Sequence, residues 1–129
     1  MNIKRETAAR LLATTAITNI VGDKIYRKQL PDNQEYVPPH IIIDGQDKER
    51  IYDHDGYSGL SEAFLQISCF SYDPDQADQL AGLVQQCLET WPAANSNIDA
   101  VFVDDENDGY EKDTKVHGTY LFVEISYAE

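Results

Sequence analysis

The chain contains no run of about 18 apolar residues, so it offers no membrane-spanning helix. Its first residues, Asn2-Ile3-Lys4-Arg5-Glu6-Thr7, lack the apolar centre of a secretory leader, and synthesis and folding in the cytoplasm are expected. Cysteine is scarce. Cys69 lies in an apolar strand pattern and Cys87 on a helical one, with no Cys-x-x-Cys spacing, so two reduced core thiols are expected rather than a disulfide. Positive charge is scarce too: 10 Lys and Arg stand against 23 Asp and Glu, for a net charge of −13. That balance argues against a nucleic-acid-binding surface, because neutralising phosphates with Lys and Arg supplies most of such affinity. Two accounts of the acidity stay open: solubility, or a surface that must lie close to DNA without adhering to it.

Catalytic signatures are missing as well. There is no glycine-rich phosphate loop, no Gly-x-Ser-x-Gly elbow and no cysteine–histidine pair in a useful context. Asp104-Asp105-Glu106-Asn107-Asp108-Gly109 begins like a calcium loop, but its twelfth position is Lys115, where a bidentate Glu is required. A solvated loop is the simpler reading. Asp53-His54-Asp55 holds three candidate ligands in a row, yet adjacent residues rarely converge on one ion. The expectation is of no catalytic residue, no cofactor and no metal.

What is present is grammar for a compact fold. With 129 residues there is room for one domain, 1–129, with one core. The sharpest signal is a strand–cap–helix junction. Ala63, Leu65, Ile67 and Cys69 point one way, while Phe64, Gln66, Ser68 and Phe70 point the other. Asp73 is a strong N-cap, Pro74 suits the first helical position, and Gln76 falls where it can bond back to the cap. Ala77, Leu80, Ala81, Val84, Leu88 and Trp91 then form one apolar stripe, and Pro92 ends a helix predicted over 74–91.

Elsewhere the pattern predicts a helix over 3–17 closed near Gly22, a short extended piece at Ile25-Tyr26, and a loop over 31–39. A strand at His40–Ile43 follows, favoured by its two preceding prolines for a sheet edge or a strand start. Residues 44–61 read as a long polar connection with a brief strand at Ile51-Tyr52. Residues 93–99 read as a linker, 100–103 as a strand, and 104–115 as an acidic, flexible connection. The last strand, 116–127, sends Leu121, Val123, Ile125 and Tyr127 to the core and Tyr120, Phe122, Glu124 and Ser126 to the other side. The predicted class is α+β, with two helices on one face of a small, mostly antiparallel sheet of four or more strands. Tyr120 and Phe122 then need a cover, either from another part of the chain or from another subunit.

Three segments in this order resemble a known family. They are the opening helix with Ile20-Val21-Gly22-Asp23-Lys24-Ile25-Tyr26, the stretch Tyr36-Val37-Pro38-Pro39-His40-Ile41-Ile42-Ile43, and the junction from Leu65 to Trp91 with its closing strand. The sequence resembles the tail-completion, or tail-terminator, proteins of long-tailed bacteriophages, which join the tail tube to the head. The second proline at position 39 and the length of 44–61 depart from that pattern. The resemblance implies a non-enzymatic virion protein that assembles in the host cytoplasm. It also implies a homo-hexameric ring that caps the tail tube and contacts the tube protein and the head connector, while DNA passes through without specific binding.

Candidate interface residues follow from that reading. They are Asp53, His54 and Tyr57 in the first long connection, Asp104, Asp105, Glu106, Asp108 and Tyr110 in the second, and Tyr120 and Phe122 on the last strand. Two other classes compete. An acidic decoy that mimics DNA also explains the charge, and a small metal-dependent hydrolase could use Asp53, His54 and Asp55.

Overall fold

A computed structural model describes residues 2–27, 37–53 and 56–128. Helices α1 (Ile3–Leu12) and α2 (Thr15–Val21) open the chain, followed by β1 (Ile25–Tyr26), β2 (His40–Asp53) and β3 (Gly56–Ser71). Helices α3 (Pro74–Glu89) and α4 (Trp91–Ala94) come next, then β4 (Ile98–Glu111) and β5 (Val116–Ala128). The five strands among the described residues form one sheet in the order β1-β2-β3-β5-β4, antiparallel except for the parallel pair β1–β2. The class is α+β, with four helical segments among the described residues rather than two.

The predicted helix over 3–17 is two helices. Thr14 leaves helical geometry at φ −97° and ψ 108°, and its hydroxyl donates to the Arg10 carbonyl while also meeting Cys87 Sγ at 3.0 Å. A threonine that bonds its own backbone competes with the helix, which is the physical reason for the break. Gly22 then ends α2 at φ 64°, a conformation that costs a residue without Cβ little.

The junction at Asp73 has its cap. Asp73 Oδ1 accepts from the Asp75 backbone at 3.0 Å, and Pro74 stands at the first helical position. Gln76 does not close the reciprocal box: its Oε1 accepts from Ser71 Oγ at 2.6 Å, and Ser71 Oγ accepts from the Asp73 backbone. Ser71 therefore does the work expected of Gln76. Pro92 does not simply stop the helix, because Thr90 begins a second short one that contains it.

The largest departures concern the two long connections. Residues 44–53 and 56–61 are not a loop but arms of β2 and β3, paired from His40–Phe70 to Asp53–Gly56 with irregularities at Gly45/Asp47 and Arg50/Tyr52. The predicted brief strand at Ile51-Tyr52 is an interior piece of β2. Likewise 104–111 continues β4, so the acidic run lies in an extended strand with a bulge between Val103 and Asp105, and the turn is confined to the few residues before Val116. Linker 93–99 is also partly structured, by the end of α4 and the start of β4. Among the described residues strand β2 is flanked by β1 only at Ile41 and Ile42 and is an edge along the rest of its length.

One cluster forms the core. Ile41, Ile43, Leu65, Ile67, Cys69, Leu121, Val123 and Ile125 from the strands meet Leu11, Ile17, Leu80, Val84 and Leu88 from the helices. Full burial of one such side chain contributes about 1.5–3 kcal/mol. Thr119 Oγ1 donates to Asp78 Oδ1 at 3.0 Å and ties β5 to α3, while Arg10 donates to the Cys87 carbonyl and ties α1 to α3. Only one parity of each strand enters this cluster, so the sheet is left with a second face of quite different character.

Candidate functional site

The second face carries the side chains that point away from the core. At one end His40 Nδ1 and its ring lie buried among aromatics: His40 stacks on Phe70 at 4.8 Å between ring centroids, and Phe70 meets Tyr120 edge-on at 5.9 Å. Tyr26 joins from β1, 6.1 Å from His40. These rings come from four strands, brought together because Tyr26, Ile42, Ser68, Tyr120 and Asn107 occupy one row of the sheet. Beside them opens a groove of about 750 Å³, lined by Pro38, Ile42, Phe70, Tyr72, Tyr110 and Tyr120.

The floor under Tyr120 is made by two residues with no side chain. Gly109 and Gly118 face each other across β4 and β5. A Cβ at Gly109 would stand 2.8 Å from the Tyr120 ring, and one at Gly118 would stand 2.9 Å from Tyr120 Oη. The ring lies in the space the glycines leave open.

The other end of the same face is acidic. Glu49 and Glu62 are direct cross-strand partners, Glu124 stands one diagonal step from Glu62, and Asp104 sits at the β4 bulge beside Glu124. Partial burial raises the Glu124 carboxyl above its ordinary range, helped by the charges of Asp104 and Glu62, a hydrogen bond to Asp104 and the charge of Glu49. Between the two ends Phe64 and Phe122 are half-buried, and Phe102 on β4 is 57% exposed.

Reactive chemistry is poorly served. Burial lowers His40 to a pKa of about 4, assisted by the nearby Lys24 charge, so the imidazole is neutral at pH 7. Burial, with the Glu106 charge, pushes the Cys69 thiol far up, which leaves it without thiolate character. Among the described residues no three His, Cys, Asp or Glu side chains are placed to hold a metal ion. What the surface does offer is apolar contact rimmed by polar groups, the chemistry of an interface.

Comparison with known proteins fits that character. The sequence model of the family described as tail completion protein gp17 matches residues 6–128. The chain belongs to the tail completion protein gp17 family. It is accordingly a phage tail structural protein and not an enzyme. In fold it is similar to a chain of the virion of native gene transfer agent (GTA) particle, with a TM-score of 0.78 at 12% identity. That similarity covers 98% of this chain and 95% of the other. No curated protein sequence matches.

In this tail completion protein the ten candidate interface residues fall into separate groups. Asp53 pairs with Gly56 at the tip of the β2–β3 hairpin and Tyr57 pairs with Tyr52 beside it, while His54 lies outside the described residues, as does Asp55. Asp104, Asp105, Glu106 and Asp108 are exposed along β4. Tyr110, 54% exposed, contacts the His117 ring at 4.5 Å. Tyr120 and Phe122 are half-buried on the second face. From Tyr57 to Phe70 along β3 is ~40 Å at strand rise, so the hairpin tip and the aromatic end are not one site.

Sequence reasoning missed His40, Tyr26, Phe64, Phe70 and the row Glu49–Glu62–Glu124. The parity of β3 already put Phe64 and Phe70 opposite the core residues, and pairing that parity with Tyr120 and Phe122 could have found the face.

Proposed function

We propose that this tail completion protein sits in the virion at the junction of tail and head, where a homo-hexameric ring caps the tail tube and meets the head connector. The carrying observation is the second sheet face, aromatic at one end and acidic at the other, on a chain of this family. The aromatic end suits a docking contact with the tube protein or the connector, since rings in a polar surround supply large contact area at low entropic cost. The acidic end, with a net charge of −13 per subunit, suits a wall past which DNA slides, because like charge repels phosphates within a Debye length of about 8 Å. The whole chain acts as one domain in this reading. Family membership favours it over the acidic decoy.

Electron microscopy of lysates from a phage lacking this chain tests the assignment. Full heads and unjoined tails accumulating side by side are the expected result; normal infectious particles would reject it. Substituting Asp104, Glu62 and Glu124 by Lys tests the channel separately, with slower DNA ejection expected from otherwise intact particles.

A further inference from the structure

Charge is not spread evenly over this sheet. Strand β4, an outer edge, carries six acids and no base: Asp99, Asp104, Asp105, Glu106, Asp108 and Glu111. Among the described residues the other outer edge is the two-residue β1, against which α1 packs. Residues 2–27, which supply that edge, hold five cations against two anions, Glu6 and Asp23; with Arg10 bonded to α3 and Lys4 lying along Gly45, Arg5, Lys24 and Arg27 remain. Arg5 is 68% exposed at its side chain, and Arg27 is exposed as well. Past Ile43 the β2 arm mixes both signs.

Strand β1 and the middle of the acidic run are matched in height. Following the pairing across the sheet, Ile25 leads to Ile41, Cys69, Thr119 and Asp108, and Tyr26 leads to Ile42, Ser68, Tyr120 and Asn107. Strand β1, with Arg27 directly after it, therefore stands level with the centre of the acidic run. Glu106 and Asp108 share the strand parity of Leu121 and Thr119, the parity turned toward the helix layer that carries Arg5. Four strand spacings separate the edges by ~19 Å, more than a Debye length of about 8 Å, so the patches do not neutralise each other within one subunit.

From this we infer that the β4 edge of one subunit docks against the β1–α1 edge of a second copy. Like-to-like pairing of two β4 edges is opposed, since it would align two acidic rows; charges on an exposed edge strand serve that purpose. A contact between unlike edges is head-to-tail, and head-to-tail contacts make rings when the rotation closes. Equal height of the patches means that each step adds no displacement along the strands, which favours closure over an open helix. The inference rests on the ring proposed above and adds which surfaces build it.

Complementary charge reversal tests it. Variant one is Glu106→Lys with Asp108→Lys; variant two is Arg5→Glu with Arg27→Glu. Oligomer mass is measured by sedimentation at about 20 mM salt, free and on purified tail tubes, after circular dichroism and a urea midpoint show each variant folded. Each variant alone should associate at least about tenfold more weakly than the wild type, because positions 106 and 108 of one copy and positions 5 and 27 of the next then carry one sign. An equal mixture should recover wild-type assembly, with the two variants alternating around the ring. Single variants that assemble normally, or a folded mixture that stays apart, would overturn the edge assignment while leaving the ring itself intact. A wild-type chain that forms no ring even on tubes would overturn both. Should either variant fail to fold, the single changes Asp108→Lys and Arg27→Glu repeat the mixing with the same two outcomes.

Discussion

Strand β5 shows two regions of this molecule in one sentence of sequence. Leu121, Val123, Ile125 and Tyr127 are buried against the helix layer, whereas Tyr120, Phe122, Glu124 and Ser126 alternate with them on the half-exposed face. The inward set is aliphatic apart from Tyr127 and belongs to one close-packed cluster. The outward set mixes rings and acids, and its members meet partners on neighbouring strands rather than a layer above them. Stability and recognition are thereby assigned to alternate residues of the same strand. A change on one face should leave the other nearly untouched.

The harshest way to break the comparison is a charge in the covered layer. Leu80→Asp puts a carboxylate at a fully buried position of α3, and loss of the cooperative urea transition is expected. An unchanged urea midpoint would refute the packing of α3 on the sheet. Next in size is a pair of adjacent truncations on β5. Leu121→Ala should cost about 2–5 kcal/mol, while Phe122→Ala, half-exposed on the other face, should cost below about 1 kcal/mol and instead weaken assembly on tail tubes. Equal stability losses at the two positions would erase the distinction between the faces.

His40 sharpens it through pH. Its pKa falls from an ordinary 6.5 to about 4 on folding, so the unfolded chain binds the extra proton between those values. Stability attributable to His40 is therefore present above pH 6.5 and lost as pH falls toward 4, by on the order of 3 kcal/mol in full. Urea midpoints across that window should show the loss in the wild type, and His40→Phe should remove this part of it.

Glu124 has the opposite sign. Its raised carboxyl means the folded chain holds the proton more tightly, so its contribution is favourable at low pH and lost as pH rises through the folded value. Glu124→Gln should stabilise the protein at pH 7 by a few tenths of a kcal/mol up to about 1, the scale of a cross-strand like-charge contact, and the gain should vanish in acid.

How much of this was legible depended on where apolar residues carry the pattern. The strand through Leu65, Ile67 and Cys69, the Asp73 cap and the stripe from Ala77 to Leu88 are all written in burial, and periodicity reads burial. The strand stretches around Lys48, Arg50 and Asp105 run through polar residues and are held by backbone pairing. Nothing in their sequence alternates, so they read as loops. The break after Leu12 was hidden for another reason: it depends on a hydroxyl meeting Arg10 and Cys87, a contact between segments far apart in the chain. Tyr120 and Phe122 were visible as interface candidates because parity alone sets them off from the core. Asp53 and Tyr57 fall in a polar stretch that reads as a loop, and the hairpin carries them to the far end of β3.

Cys69 lies wholly beneath the surface, and Cys87 nearly so, in a chain with just two thiols. An alkylating reagent can reach them only when the packing around them opens. Their labelling rate is thus a built-in clock for breathing of the interior, readable by mass spectrometry on the unaltered protein before and after it is locked into a particle.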